Sequence, residues 1–304
     1  MTGVDVVERT VEVDGRPVRI LERGSGTVAT VLLHGGMAGH GPWQGAADLW
    51  RPLMEAMAPR GRVIAIDLPG CGGSPIADAA ELTIAGATER VGATLRALGI
   101  EVAVPVGHGE ASLVALLLAR RPPEGLSVGG VTVIAATGAA PTSDGVSPVV
   151  LLNPPSAQGA AARTRWELDR LSSSAAHVTD DIVAALARHA DGAARASAAE
   201  ALSHPEAAIR LTTDLLGAKM DFFAHCRDTG YDLPISILWG SHDPLLTVAH
   251  GDGLFALLST TSEELDFNVL GRTGHLPFRE DPRAVLRILE PFATRSTRRW
   301  EVAR

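Results

Sequence analysis

The chain is short of nearly every feature that marks a specialised class. It has two cysteines in 304 residues, Cys71 and Cys226, far apart and with no C-x-x-C or zinc-like spacing. That excludes a disulfide scaffold and a cysteine metal centre, and two reduced thiols fit a cytoplasmic protein. Lysine is nearly missing, since Lys219 stands alone beside 26 scattered arginines, and the net charge is −8. An acidic chain without a basic patch is not expected to bind nucleic acid. No apolar run is long enough to span a membrane. The opening residues Met1 to Arg9 have no basic stretch followed by an apolar one, so no signal peptide is expected. Gly24-Ser-Gly26 and Gly35-Gly36…Gly39 lack the G-x-G-x-x-G spacing and its strand–helix context, and no phosphate loop or metal cluster is present. Neither a cofactor nor a metal is expected.

What is present is a rhythm of strands and helices, with 46% hydrophobic residues in a chain long enough for one large core. Val4 to Val13 and Arg16 to Glu22 alternate apolar with polar around Asp14-Gly15, a hairpin signal. Val28 to Leu33 and Arg62 to Ile66 are continuous apolar runs, as in strands buried on both faces. A helix is expected from Leu49 to Met57, and Thr83 can cap another that runs to Leu98. The strand Glu101 to Val106 ends at Gly107, and an Ala/Leu-rich helix, Glu110 to Arg120, begins within two residues. Val128 to Ala136 reads as one more strand. Such alternation predicts a mostly parallel sheet covered on both faces.

The rhythm stops at Pro141. From there to Arg227 Gly/Pro/Ser turns give way to Ala-rich helical segments, one opening with Thr179-Asp180-Asp181 as cap and acidic first turn. Strands return at Pro234 to Trp239 and Leu265 to Leu270, with helices at Leu246 to Leu258 and Pro282 to Phe292. Thr294 to Arg304 is expected to fray. The domain expectation is therefore a core of residues 1–140 and 228–304 with a helical lid, 141–227, inserted into it.

Four strand ends carry marked residues: His34-Gly35-Gly36, Gly107-His108-Gly109, Trp239-Gly-Ser-His-Asp243-Pro, and Gly271-Arg-Thr-Gly-His275-Leu-Pro-Phe278. In an open parallel sheet ligands bind beyond the carboxyl ends of the strands, so these stretches are expected to share one crevice. With D-L-P-G-x-G-x-S at Asp67 to Ser74, they resemble the α/β-hydrolase superfamily over about residues 16 to 293. The order nucleophile, acid, histidine is the same, and Gly107 to Ala111 resembles its G-x-S-x-G nucleophile elbow. Gly109 stands where the serine would be.

The resemblance implies that Asp243 is the triad acid and His275 the triad base. Read alone, Asp243 would cap the following helix and His275 would be a loop histidine. The oxyanion hole maps onto the backbone N–H groups of Gly36 and Glu110, a contribution of about 3–4 kcal/mol per donor. The Glu110 side chain is accounted for by the dipole of the helix it opens; a role as a second acid/base stays open, as does an orientation away from the crevice. Ser112, three residues into the helix, is no substitute nucleophile. Met37, Trp43, Trp166, Leu276 and Phe278 are candidates to line the substrate pocket, or simply core. Cys71 is read as lining.

Without a serine no acyl-enzyme can form there. Four functions stay open. The first is a His275–Asp243 general base with an oxyanion hole, performing an elimination, lyase or cyclase step on a small apolar carbonyl or ester compound such as a secondary metabolite. The second is hydrolysis by a His275-activated water. The third is a serine esterase disabled by replacement of its nucleophile, and the fourth is an inactive protein that only binds a small organic ligand.

Overall fold

The computed structural model describes residues 5–57, 61–141, 151 and 159–303. Two residues with positive φ, Asp14 and Gly15, turn the chain between β1 (Val7–Val13) and β2 (Arg16–Arg23), which pair antiparallel from Val7↔Glu22 to Val13↔Arg16. The apolar runs become β3 (Val28–Leu33), β4 (Arg62–Ile66) and β5 (Val102–His108). The region read as one strand from Val128 to Ala136 is two pieces, β6 (Ser127–Val128) and β7 (Val131–Ile134). With β8 (Ile235–Gly240) and β9 (Leu265–Leu270) the path through the sheet is β1-β2-β4-β3-β5-β7-β8-β9, and β6 pairs with β5. All pairings from β4 to β9 are parallel, whereas β2 meets β4 antiparallel.

Parallel strands need crossovers, and the helices supply them on both faces. A 3-10 turn (Ala47–Trp50) leads into α1 (Arg51–Ala56), a tighter start than the α-helix expected from Leu49. Then come α2 (Ile84–Ala97), capped by the Thr83 side chain on Gly86 N–H, and α3 (Ala111–Arg120). Successive strand residues point to opposite faces, so Val31 and Leu33 enter one apolar cluster with α2 and α3, while Leu32 enters another with α1 and Trp50.

Between β7 and β8 lie α4 (Gly159–Leu171), α5 (Asp180–Ala187), α6 (Ala193–Leu202) and α7 (Pro205–Asp228). The turns expected just after Pro141 fall largely outside the described residues. Thr179 does occupy the cap position of α5, but its side chain makes no capping bond; the first-turn Asp180 pairs with Arg165 instead. These helices lie against the loops at the carboxyl ends of the strands. Ala198 and Leu211 pack with Ala38, Cys71, Ile76 and Leu82. Below them Asp48, almost fully buried, accepts bonds from Arg19 of the sheet and from Arg188 and pairs with His189 beyond α5, at 2.9 to 3.2 Å.

The chain continues through α8 (Val248–Leu258), the short α9 (Pro277–Glu280) and α10 (Pro282–Ala303). The expected frayed tail from Thr294 is helix instead, running past the internal Pro291 to Ala303. Packing decides this. Ser296 is fully buried against Gly129 and Gly130, where an added Cβ would come within 2.4 Å of the Ser296 hydroxyl, and Arg295 and Arg299 pair with Asp266 and Asp232. The same two glycines separate β6 from β7, so one close approach accounts for both departures from the sequence reading.

Candidate active site

Strand β5 delivers the site's floor. After His108 the chain must turn into α3 within two residues, and Gly109 does so at φ +59°, a conformation that L side chains rarely adopt. The close approach behind it needs Gly107, where a Cβ would lie 2.6 Å from Ser112 Cα. Ser112, fully buried, donates its hydroxyl to the Gly109 carbonyl at 2.7 Å, so it holds the turn and offers no free nucleophile.

The loops after β8 and β9 bring the acid and the histidine. His275 Nδ1–H donates to Asp243 Oδ2 at 2.9 Å, and both side chains are shut off from solvent. Asp243 Oδ1 also accepts from the N–H groups of Leu245 and Leu246, so it orders its own loop and the imidazole together. Desolvation of the wholly buried ring opposes its charging. The attraction and hydrogen bond of Asp243, joined by Glu110 and Glu280, outweigh it and hold the His275 pKa above the ordinary value. Nε2 is left facing Gly109, 3.8 Å from where a Cβ on that glycine would stand.

His108 was marked in the sequence without a role, and it proves to be a strut. Gly35 N–H donates to its Nδ1 at 3.1 Å, which leaves Nε2–H to donate to the His275 carbonyl at 2.9 Å. Burial, aided by the neighbouring His275, pushes its pKa well below the ordinary value, so it is neutral. Glu280 is a second support that sequence reasoning missed. Its buried carboxylate accepts from Gly274 N–H at 3.0 Å and from Ser173 N–H and Oγ, tying the His275 loop to the end of α4.

Glu110 reaches beyond the helix it opens. Its carboxylate turns across to the His34–Met37 loop, where Oε2 accepts from Gly36 N–H at 2.9 Å. One of the two backbone donors assigned to an oxyanion hole is therefore already hydrogen-bonded to the protein's own anion. The Glu110 N–H, the other, sits at the start of α3, where amides have no partner one turn back.

The lining candidates divide. Trp43, almost fully buried, meets His275 edge-on with ring centroids 6.2 Å apart, and its ring fills the space that a side chain at Gly36 would need. Phe278 stacks on Trp50 at 3.8 Å and meets His108 at 5.0 Å, so it lies behind the histidines in the core. Leu276 and Met37 are likewise buried in the two apolar clusters. Trp166 on α4 is half-buried beneath the Arg170 guanidinium, and no ring contact joins it to His275. Cys71 reaches toward the Gly36 carbonyl at 3.7 Å, and burial pushes its thiol up to about 12, so it is no thiolate nucleophile. Among the described residues no group of three or more His, Cys, Asp and Glu is arranged to hold a metal ion, and no helix is long and apolar enough to cross a membrane.

A mostly parallel sheet with helices on both faces, and a buried His–Asp pair where its strands end, define an α/β-hydrolase fold. Residues 30–288 match the Alpha/beta hydrolase family, and the chain belongs to it. No curated protein matches the chain. Among solved structures it is similar to a putative lipase from Acinetobacter baumannii (TM-score 0.73, 18% identity, covering 97% of this chain and 93% of that one). It is also similar to a bacterial membrane phospholipase A (0.71, 22%, 96% and 87%). A third is the 2-hydroxy-6-oxo-6-phenylhexa-2,4-dienoate hydrolase of a Rhodococcus strain (0.69, 20%, 95% and 99%). The members of the superfamily and these neighbours are enzymes, mostly hydrolases.

Proposed function

We propose that the protein is a general-base enzyme acting on a small apolar carbonyl or ester compound without a covalent intermediate, with Gly109 in the position of the family's serine. The observation that carries this reading is His275 Nε2 facing Gly109, which carries no side chain, while Nδ1 is held by Asp243. Asp243 fixes the tautomer and stabilises the imidazolium that forms when Nε2 takes a proton. The helices α4 to α7 act as the lid over this crevice, and the Trp43 ring meets the base edge-on. Because Glu110 holds the Gly36 amide, a developing oxyanion must displace that carboxylate or rely on the Glu110 N–H alone. The proton taken is that of a water in a hydrolysis or that of a carbon acid in an elimination.

Turnover of a panel of small p-nitrophenyl esters tests the reading. His275→Ala is expected to lose on the order of 10³-fold or more in kcat, while Gly109→Ser gives no gain. Retained activity in the first variant, or a hundredfold gain in the second, counts against it; the gain would mark a serine esterase that has lost its nucleophile. Solvent oxygen in the acid product separates hydrolysis from elimination. A protein that only binds ligands would yield no product, with His275→Ala leaving affinity intact.

A further inference from the structure

One wall of the space above Gly109 belongs to neither the His–Asp pair nor the elbow. Thr137 Oγ1 is buried with no hydrogen-bond partner, and it lies 3.5 Å from the position of a Cβ on Gly109. The backbone holds it there. Gly109 N–H donates to the Ile134 carbonyl at 3.0 Å, Gly138 N–H donates to the Gly109 carbonyl at 3.2 Å, and Thr137 N–H donates to the Ala135 carbonyl at 2.8 Å. Ala135 takes φ +46° to make this turn, a conformation unfavourable for a residue with a Cβ. A strained turn that strands a hydroxyl without a protein partner calls for a partner of another kind. His275 Nε2 stands 3.8 Å from the same point, and Gly35 Cα closes a third side at 3.3 Å. The Cβ position itself is tight against Gly35, so a water oxygen would stand farther out than a Cβ, toward Thr137 Oγ1 and His275 Nε2, the two polar partners an ordered water requires.

We propose that Thr137 Oγ1 and His275 Nε2 hold a water above Gly109, and that this water is the nucleophile of an ester hydrolysis. The proposal rests on the general-base reading and decides its reaction class. One O–H of the water donates to His275 Nε2 and the other to Thr137 Oγ1, which leaves an oxygen lone pair for the ester carbonyl carbon. As the new C–O bond forms, Nε2 takes the first proton and the carbonyl oxygen becomes the oxyanion. When the oxyanion collapses, the bond to the alkoxide breaks and Nε2–H returns its proton to the leaving oxygen. Ester and water become acid and alcohol, and the imidazole ends neutral. Thr137 is a catalytic residue in this step because it touches the attacking oxygen.

A crystal structure of the ligand-free protein tests the site without any substrate. The expected result is one ordered water within about 3.2 Å of both Thr137 Oγ1 and His275 Nε2. An empty space, or a Thr137 hydroxyl bonded to protein, overturns the proposal. With p-nitrophenyl butyrate as probe, Thr137→Val keeps its thermal midpoint and loses about 10–100-fold in kcat, with KM nearly unchanged. Thr137→Ser restores the rate, which a purely structural methyl-packing role would not require. In a Gly109→Ser background Thr137→Val has no further effect, because the introduced hydroxyl displaces the water. Full activity of Thr137→Val, or a butyryl adduct on Thr137 in the intact mass during turnover, overturns the assignment. If His275→Ala is as active as wild type the general-base reading falls; if it is dead and Thr137→Val is unimpaired, only the water site falls.

Discussion

The loops after β8 and β9 and the turn after β5 meet over one crevice, yet they treat buried charge in opposite ways. On the first side the carboxylates are paired: Asp243 satisfies His275 and two backbone amides, and Glu280 satisfies Gly274 and Ser173. On the second side the groups are left half-engaged. Gly109 has no side chain, Thr137 Oγ1 has no partner, and Glu110 borrows the amide of Gly36. The two neighbouring imidazoles show the same contrast, with ring centroids 4.7 Å apart and pKa values pushed in opposite directions, His275 up and His108 down. Burial alone lowers both; only the ring with a carboxylate partner can accept a proton. On the proposed reading, proton chemistry is confined to one side and the place for a reactant to the other.

Removing the carboxylate partner should erase that contrast most completely. Asp243→Asn is expected to cost about 10³–10⁴-fold in kcat with the fold retained. A pH–rate profile checks the cause. Wild-type activity rises with pH through a limb above the ordinary histidine value of about 6.5, because the base must be neutral, and Asp243→Asn moves that limb down. Stability runs the other way. A raised folded pKa gives His275 a stabilising proton fully present below about pH 6.5 and lost as pH rises through the folded value, whereas the depressed His108 withdraws stability as pH falls below about 6.5. Denaturant melts of His275→Ala and His108→Gln across this range separate the two contributions.

Glu280→Ala tests how much the paired side depends on its supports. It strands the amides of Gly274 and Ser173, and denaturant melts should show a loss of about 2–3 kcal/mol. Glu110→Ala probes the half-engaged side. Freeing the Gly36 amide and removing a carboxylate from beside the developing oxyanion should raise kcat on p-nitrophenyl butyrate, by about tenfold, and lower the acid limb slightly. No change in rate would mean that the Gly36 donor is not used. Cys71→Ala should alter turnover less than about twofold, since a thiol held at about 12 takes no part.

On the paired side Asp243 and His275 were legible in the sequence, and Glu280 was not. The strand ends that carry them could be read from the apolar runs, and the resemblance to the α/β-hydrolase superfamily is what pointed to the two residues as a pair, which His275 Nδ1 and Asp243 Oδ2 form at 2.9 Å. The sheet was legible for a related reason: runs such as Arg62–Ile66 and Leu265–Leu270 are apolar or alternating over a strand's length, and the strands match them residue for residue. What escaped depends on contacts between distant segments. Nothing local distinguishes Thr137 from any threonine after a strand, or tells Glu110 to reach for Gly36, 74 residues away. The helix after Thr294 is not legible locally, because the buried Ser296 against Gly129 and Gly130 is visible only in three dimensions.

The Gly36–Glu110 bond has a consequence for how a reaction would finish. An ester hydrolase leaves behind an acid that ionises at neutral pH and would settle wherever an amide invites an anion. Here that berth is taken by a resident carboxylate, and a second negative charge arriving beside it meets repulsion instead of welcome. The crevice would shed its spent anion while keeping its affinity for the uncharged compound that came in.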